Sequence, residues 1–143
     1  VDFSWEGFEW IVADDNSNNV VVFLRKDKRG KEVVCVVNFS PVERREYRFG
    51  VPQKKEYREI FNSDALEFGG TGAGNPKPVR TEWIPSHGHP CSIAVTIPPM
   101  AGVVLHGEGY LRMPKNKTVN QKLITVKQAP GKKRNQEERI GKR

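Results

Sequence analysis

Long apolar runs are missing from this 143-residue chain. No stretch approaches the ~20 residues that a membrane-spanning helix requires, which excludes a helical span. No signal-peptide pattern appears either, so the expected compartment is the cytoplasm. Cysteine is scarce, with two residues, Cys35 and Cys91. That is too few for a disulfide framework, and both read as reduced thiols. Cys35 sits within Val33 to Val37, where a small apolar side chain suits a strand, whereas Cys91 follows Pro90 in an expected loop. Helical periodicity is nowhere sustained, which argues against a helical bundle.

The charge is unevenly placed. The net charge is +7, but residues 1–106 carry 13 Lys/Arg against 14 Asp/Glu, and residues 107–143 carry 11 against 3. The body is therefore at −1 and the end of the chain at +8. A near-neutral body has no electrostatic footprint for a phosphate backbone, so nucleic-acid binding is not expected of it. The basic tail, residues 107–143, lacks the apolar area that would offset its ordering entropy and reads as largely irregular. Lys122 to Lys127 could add one edge strand there.

What is present is a succession of short apolar or alternating runs. They occupy residues 8–13, 20–25, 32–39, 46–51, 57–62, 80–84, 92–97 and 102–106, separated by Gly, Pro, Asn and Asp clusters. About eight such runs at this spacing predict an all-β antiparallel sandwich over residues 8–106. Val33 to Val37 is apolar without alternation, as in a central strand buried on both faces, whereas Tyr47, Phe49 and Val51 alternate.

Motifs that resemble chemistry fail on inspection. Gly69 to Asn75 is glycine-rich, but a phosphate-cradling loop ends in Gly-Lys-Ser/Thr and opens a helix, and here Asn75-Pro76-Lys77-Pro78 follows. His87, His89 and Cys91 fall in five residues, yet a structural zinc site takes four ligands in spaced pairs, and the other His and Cys are distant in sequence. A turn accounts for them, and no metal or other cofactor is expected. No carboxylate pair or Ser/His/Asp set stands out as catalytic.

Aromatics crowd the start of the chain: Phe3, Trp5, Phe8 and Trp10 fall within ten residues. So abrupt an opening suggests that the natural chain continues upstream and that residues 1–11 form a junction with something larger. Gly7-Phe8-Glu9-Trp10-Ile11, then Asp14-Asp15 and Phe23-Leu24-Arg25, resembles the start of the C-terminal domain of bacterial 1,4-alpha-glucan (glycogen) branching enzymes. Further similarities follow in the family's order: Val36 to Val42 (VVNFSPV), Tyr47 to Pro52 (YRFGVP), Tyr57 to Asp64 (YREIFNSD), Phe68 to Thr71 (FGGT), Gly74-Asn75, and Ile97 to Ala101 (IPPMA). They span residues 3–106.

The resemblance implies a Greek-key β-sandwich of the alpha-amylase superfamily, standing behind a (β/α)8 barrel that holds the catalytic carboxylates. It therefore implies no catalytic residue here. Trp5, Phe8 and Trp10 become candidates for contact with that barrel. A sugar-binding surface combines an aromatic face with carboxylate, amide or Arg partners. On the domain body, Trp83 with Arg80 and Glu82 is the first candidate for α-1,4-glucan contact; Tyr57 and Tyr110 are the next. Core packing competes with that role for Trp83. Beyond residue 106 nothing carries over.

Overall fold

A computed structural model describes residues 5–114. Of these, residues 5–111 belong to one compact unit. Its eight strands are β1 (Phe8–Asp15), β2 (Val20–Lys26), β3 (Glu32–Asn38), β4 (Arg44–Val51), β5 (Glu56–Asn62), β6 (Val79–Arg80), β7 (Cys91–Ile97) and β8 (Ala101–Glu108). Single 3-10 turns occur at Trp5–Gly7 and Leu66–Phe68. All strand pairing is antiparallel. Among the described residues no helix is long and apolar enough to cross a membrane.

The strands form two layers. One sheet has the order β1-β2-β3-β8-β5-β6, and the other is the pair β4-β7. The fold is thus the all-β sandwich expected from the turn spacing. Val12, Val22, Val36 and Val103 lie opposite one another along one row of the large sheet, and Leu24, Val34 and Leu105 along the next. They meet Phe49, Val51, Ile93, Val95 and Ile97 of the small sheet in a single core. β-branched residues dominate it because their stiff side chains pack well on a pleated surface.

Three details depart from the sequence expectations. The run at 80–84 yields only the two-residue β6, because Pro85 follows soon after and the chain crosses instead to the small sheet, where Glu82 bridges Ser92. Cys91 opens β7 fully buried rather than lying in a loop, and its thiol reaches the Val51 carbonyl at 3.2 Å. β3 is central, yet only Val34, Val36 and Asn38 are buried; Val33, Cys35 and Val37 face outward and are half-covered. Its unbroken apolar run therefore reports an outer face that is apolar without being enclosed. Both thiols are free, and burial raises each above its ordinary range.

The sandwich continues past His106, where the sequence reading ends it. β8 runs to Glu108, and Gln53 Nε2 donates to Tyr110 Oη at 2.9 Å and to the Leu111 carbonyl at 2.8 Å. The expected edge strand at Lys122 to Lys127 lies outside the described residues, as do Phe3 and the remainder of the tail from residue 115.

The glycine-rich segment is sewn to the sheets by amides. Asn62 Nδ2 donates to the Ala73 carbonyl at 2.6 Å. Asn75 Oδ1 accepts the Thr96 N–H at 2.9 Å while its Nδ2 donates to the Thr96 carbonyl at 2.8 Å, imitating a strand neighbour. Residues 69–75 are thereby a tied-down connection between strands.

A clasp joins β1 to β4: Tyr47 Oη donates to Asp15 Oδ2 at 2.5 Å, and Asn18 Nδ2 donates to the same oxygen at 2.9 Å. The Tyr47 hydrogen bond is the chief reason that the Asp15 carboxyl is held below its usual value of 3.8. Burial, then the Asp15 contact, pushes the Tyr47 phenol well above its usual 10.0. The signs follow from linkage. The carboxylate's contribution is present above pH 3.8 and is lost as pH falls through the lowered value. The phenol's is present below pH 10.0 and is lost as pH rises beyond it. Tyr47→Phe is expected to cost about 1 kcal/mol near neutrality and to flatten the acid limb. Urea midpoints measured across pH 2 to 11 check this, and an unchanged acid limb in the variant would refute the clasp.

Candidate functional site

The outer face of the large sheet carries the most continuous surface feature. Trp10 lies opposite Phe23, Phe23 opposite Cys35, Cys35 opposite Val104, and Val104 opposite Phe61. Direct partners share a face, so one apolar row runs from β1 to β5. Phe8 stacks on Phe23 at 5.3 Å and meets Trp10 edge-on at 5.0 Å, with the Arg25 guanidinium 5.8 Å above its ring. At the far end Phe61 meets Phe68 at 5.7 Å. Trp10 is 55% exposed, Phe61 46% and Phe68 58%.

Two bulges place the ends of this row. Strict alternation from Tyr57 and Glu59 would point Phe61 into the core. The register shift between Glu59 and Phe61 inserts one residue and turns Phe61 outward. A similar shift between Trp10 and Val12 lets Ile11 and Val12 both face inward while Phe8 and Trp10 stay outside. Trp5, on the preceding turn, is 83% exposed and borders a small cavity of about 210 Å³ with Glu6, Phe8, Glu9 and Lys26. The structure thus brings Phe8 and Trp10 to one edge of the uncovered face, with Trp5 on the adjoining turn.

By contrast, the outer face of the β4-β7 pair is closed. The segment 82–90 lies across it: Gly50 N–H donates to His87 Nδ1 at 3.3 Å, and Arg48 spans from Ser92 Oγ to Glu82 Oε1 at 2.8 Å each. His89 Nε2 reaches Glu9 Oε2 at 2.9 Å, tying this segment to β1. His87, His89 and Cys91 therefore each have a separate partner and do not converge. Among the described residues there is no cluster of three or more potential metal ligands.

The expected sugar-contact set loses Tyr57. Tyr57 is buried, with its hydroxyl donating to the Pro52 carbonyl at 2.9 Å, and burial pushes its phenol well above the ordinary range. It is a core residue and offers no ring to a sugar, because its parity along β5 matches that of the inner face. Arg80 is exposed on β6 opposite Glu56, Glu82 is engaged by Arg48, and Trp83 is half-buried on the covering segment. Tyr110 is exposed, but its hydroxyl accepts from Gln53.

Sequence reasoning missed a polar groove of about 520 Å³. Asp15 and Asn18 from the β1-β2 turn, Glu43 to Arg48 from the start of β4, and His87 from the covering segment line it. Its one sequence signal is the charged run Glu43-Arg44-Arg45-Glu46, which interrupts the apolar pattern ahead of Tyr47.

The crystal structure of an alpha-amylase from H.orenii is similar over 71% of this chain and 16% of that chain, at 19% identity and a TM-score of 0.40. The chain thus spans well under two thirds of that protein's length. The family described as alpha amylase, C-terminal all-beta domain matches residues 10–108, which takes in the strands from Trp10 of β1 to the last residue of β8. The chain belongs to the alpha-amylase C-terminal all-beta domain family.

Proposed function

We propose that this chain is the non-catalytic C-terminal domain of a 1,4-alpha-glucan branching enzyme, where it buttresses the catalytic barrel. The parent would cut an α-1,4-glucan and transfer the piece to a 6-hydroxyl, forming an α-1,6 branch in glycogen biosynthesis in the cytoplasm. Family membership supports the domain's place beside such a barrel, and the motifs from Gly7 to Ala101 support the branching specificity. The observation that carries the buttress role is the row from Trp10 to Phe61 on the uncovered sheet face, continuous with Phe8. An apolar face of this kind marks an interaction surface.

The test is made in the parent polypeptide. Trp10→Ala is expected to weaken the domain contact by about 2 kcal/mol, the effect of removing an interface aromatic. It should lower the parent's inactivation temperature while leaving the active-site chemistry intact. The parent should convert amylose to a product with α-1,6 linkages detectable by NMR, and the isolated chain should not. A parent that only hydrolyses amylose would overturn the branching reading; unchanged inactivation in Trp10→Ala would overturn the buttress.

The alternative reading is an independent α-glucan-binding module. With Tyr57 buried, that reading rests on Trp83 with Arg80 and Glu82, of which Arg80 and Glu82 are exposed.

A further inference from the structure

We propose that Gly102 is a socket in the outer face of the large sheet, into which the catalytic barrel of the parent chain inserts an aliphatic side chain. The occupant rests on the reading of this face as the barrel's seat. The socket rests on the glycine itself.

Three glycines lie within the described strands: Gly50 in β4, and Gly102 and Gly107 in β8. Two of them are explained inside the domain. A Cβ at Gly50 would collide with the Ser86 carbonyl oxygen, and one at Gly107 would stand 2.7 Å from Lys54 Cγ and 2.9 Å from Tyr57 Cε2. A Cβ at Gly102 would meet nothing within 4 Å. Nor does the backbone call for glycine there, since Gly102 is not among the residues with positive φ. Its main-chain bonds are open to any residue but proline: Ser63 N–H donates to the Gly102 carbonyl at 3.0 Å, and Gly102 N–H donates to Ser63 Oγ at 2.9 Å. Glycine inside a strand weakens it, and where neither conformation nor internal packing requires one, the close approach of another body does.

The surroundings say what approaches. Gly102 lies opposite Val37, and the next outward position on β8, Val104, lies opposite Cys35 and Phe61. Phe39 and Met100, at the adjoining ends of β3 and β8, are 60% and 66% exposed. None of these six residues is charged. A buried amine or carboxylate would find no partner among them, so the inserted group is apolar. The gap has the footprint of the one side chain that glycine omits, which an aliphatic group such as Leu or Met fills.

The barrel is the body that reaches this place. A domain that follows a catalytic barrel is joined to it through the residues before β1. β1 is an edge of the large sheet, and its Phe8 and Trp10 begin the same outer face. The opposite side, over β4 and β7, is already covered by the segment 82–90. A flat apolar face supplies contact area without fixing position. Interfaces pack as densely as interiors, so a side chain seated over Gly102 sets where along the strands the barrel rests.

The test is Gly102→Val, made in the 143-residue chain and in the parent polypeptide, with Gly102→Ala as a smaller step. In the isolated chain the urea midpoint is expected to hold or rise, because a β-branched residue suits an open strand position better than glycine. In the parent, inactivation at a fixed elevated temperature is expected to be about tenfold faster, with Gly102→Ala intermediate, because a filled socket holds the barrel off the sheet. The two variants thus act in opposite directions in the two proteins. A midpoint that falls in the isolated chain would show that the domain itself needs the glycine, and would overturn the proposal. Trp10→Ala in the parent separates the socket from the reading beneath it. Faster inactivation with Trp10→Ala but not with Gly102→Val removes the socket and leaves the buttress standing; no change with either removes both. Faster inactivation with Gly102→Val alone keeps the barrel's contact at Gly102 and moves it off the Trp10 end. A dimer of the isolated chain that Gly102→Val abolishes, beside a parent that is indifferent to it, would make a second copy the occupant and overturn the barrel's claim.

Discussion

Phe49→Ala is expected to destabilise the domain by about 3–5 kcal/mol, as measured by urea or thermal unfolding of the isolated chain. Phe49 is fully buried, lies opposite Ile93, and has Tyr47's ring 6.2 Å away. The small sheet has two strands, so one lost ring removes much of what it lends to the core. Against a total stability of about 5–15 kcal/mol, the change would leave a population unfolded at moderate temperature. Phe61→Ala, on the open face, is expected to cost the isolated chain about 1 kcal/mol or less, since it forfeits chiefly the contact with Phe68. Equal losses for the two would contradict the assignment of inner and outer faces.

Gly50→Ala is the second large effect, and its cause is steric. A Cβ at Gly50 would stand 1.9 Å from the Ser86 carbonyl oxygen. Backbone cannot be compressed that far, so the segment 82–90 must lift from β4. In doing so it strains the Gly50–His87 contact and the Arg48 bridge to Glu82. A loss of about 1–3 kcal/mol is expected. Nuclear magnetic resonance shifts concentrated at Ser86 to His89 would locate the damage. A variant with native stability and unchanged His87 signals would show that the segment does not close on the small sheet.

Strand positions were readable from local signals. Seven of the eight apolar runs became strands within two residues of their expected ends, because Asn, Gly and Pro punctuate the chain where it turns. What was not readable depended on partners distant in sequence. Tyr57 resembled an exposed ring, and only its place opposite Gly107 and the inner face made it core. Cys91 resembled a loop residue after Pro90, yet pairing with Val51 drew it into β7. The outward turn of Phe61 came from a bulge that no alternation pattern announces. The aromatic start flagged Trp5, Phe8 and Trp10, and the structure extended that hint across four more strands. The groove was hidden for a different reason: its walls come from three segments that meet only after both sheets have formed.

The strand that completes the large sheet is β8, which lies between β3 and β5 although it follows both in the chain. During synthesis, β1, β2 and β3 can pair as they emerge, but β5 has no neighbour toward them until residues 101–108 leave the ribosome. Closure therefore waits on nearly all of the residues that contribute strands, and a nascent chain halted before Ala101 exposes two open sheet edges. Such edges invite pairing between chains. Ribosome stalling upstream of β8 is thus the circumstance in which this domain is most exposed to aggregation, and a chaperone that shields unpaired strands would act on it then.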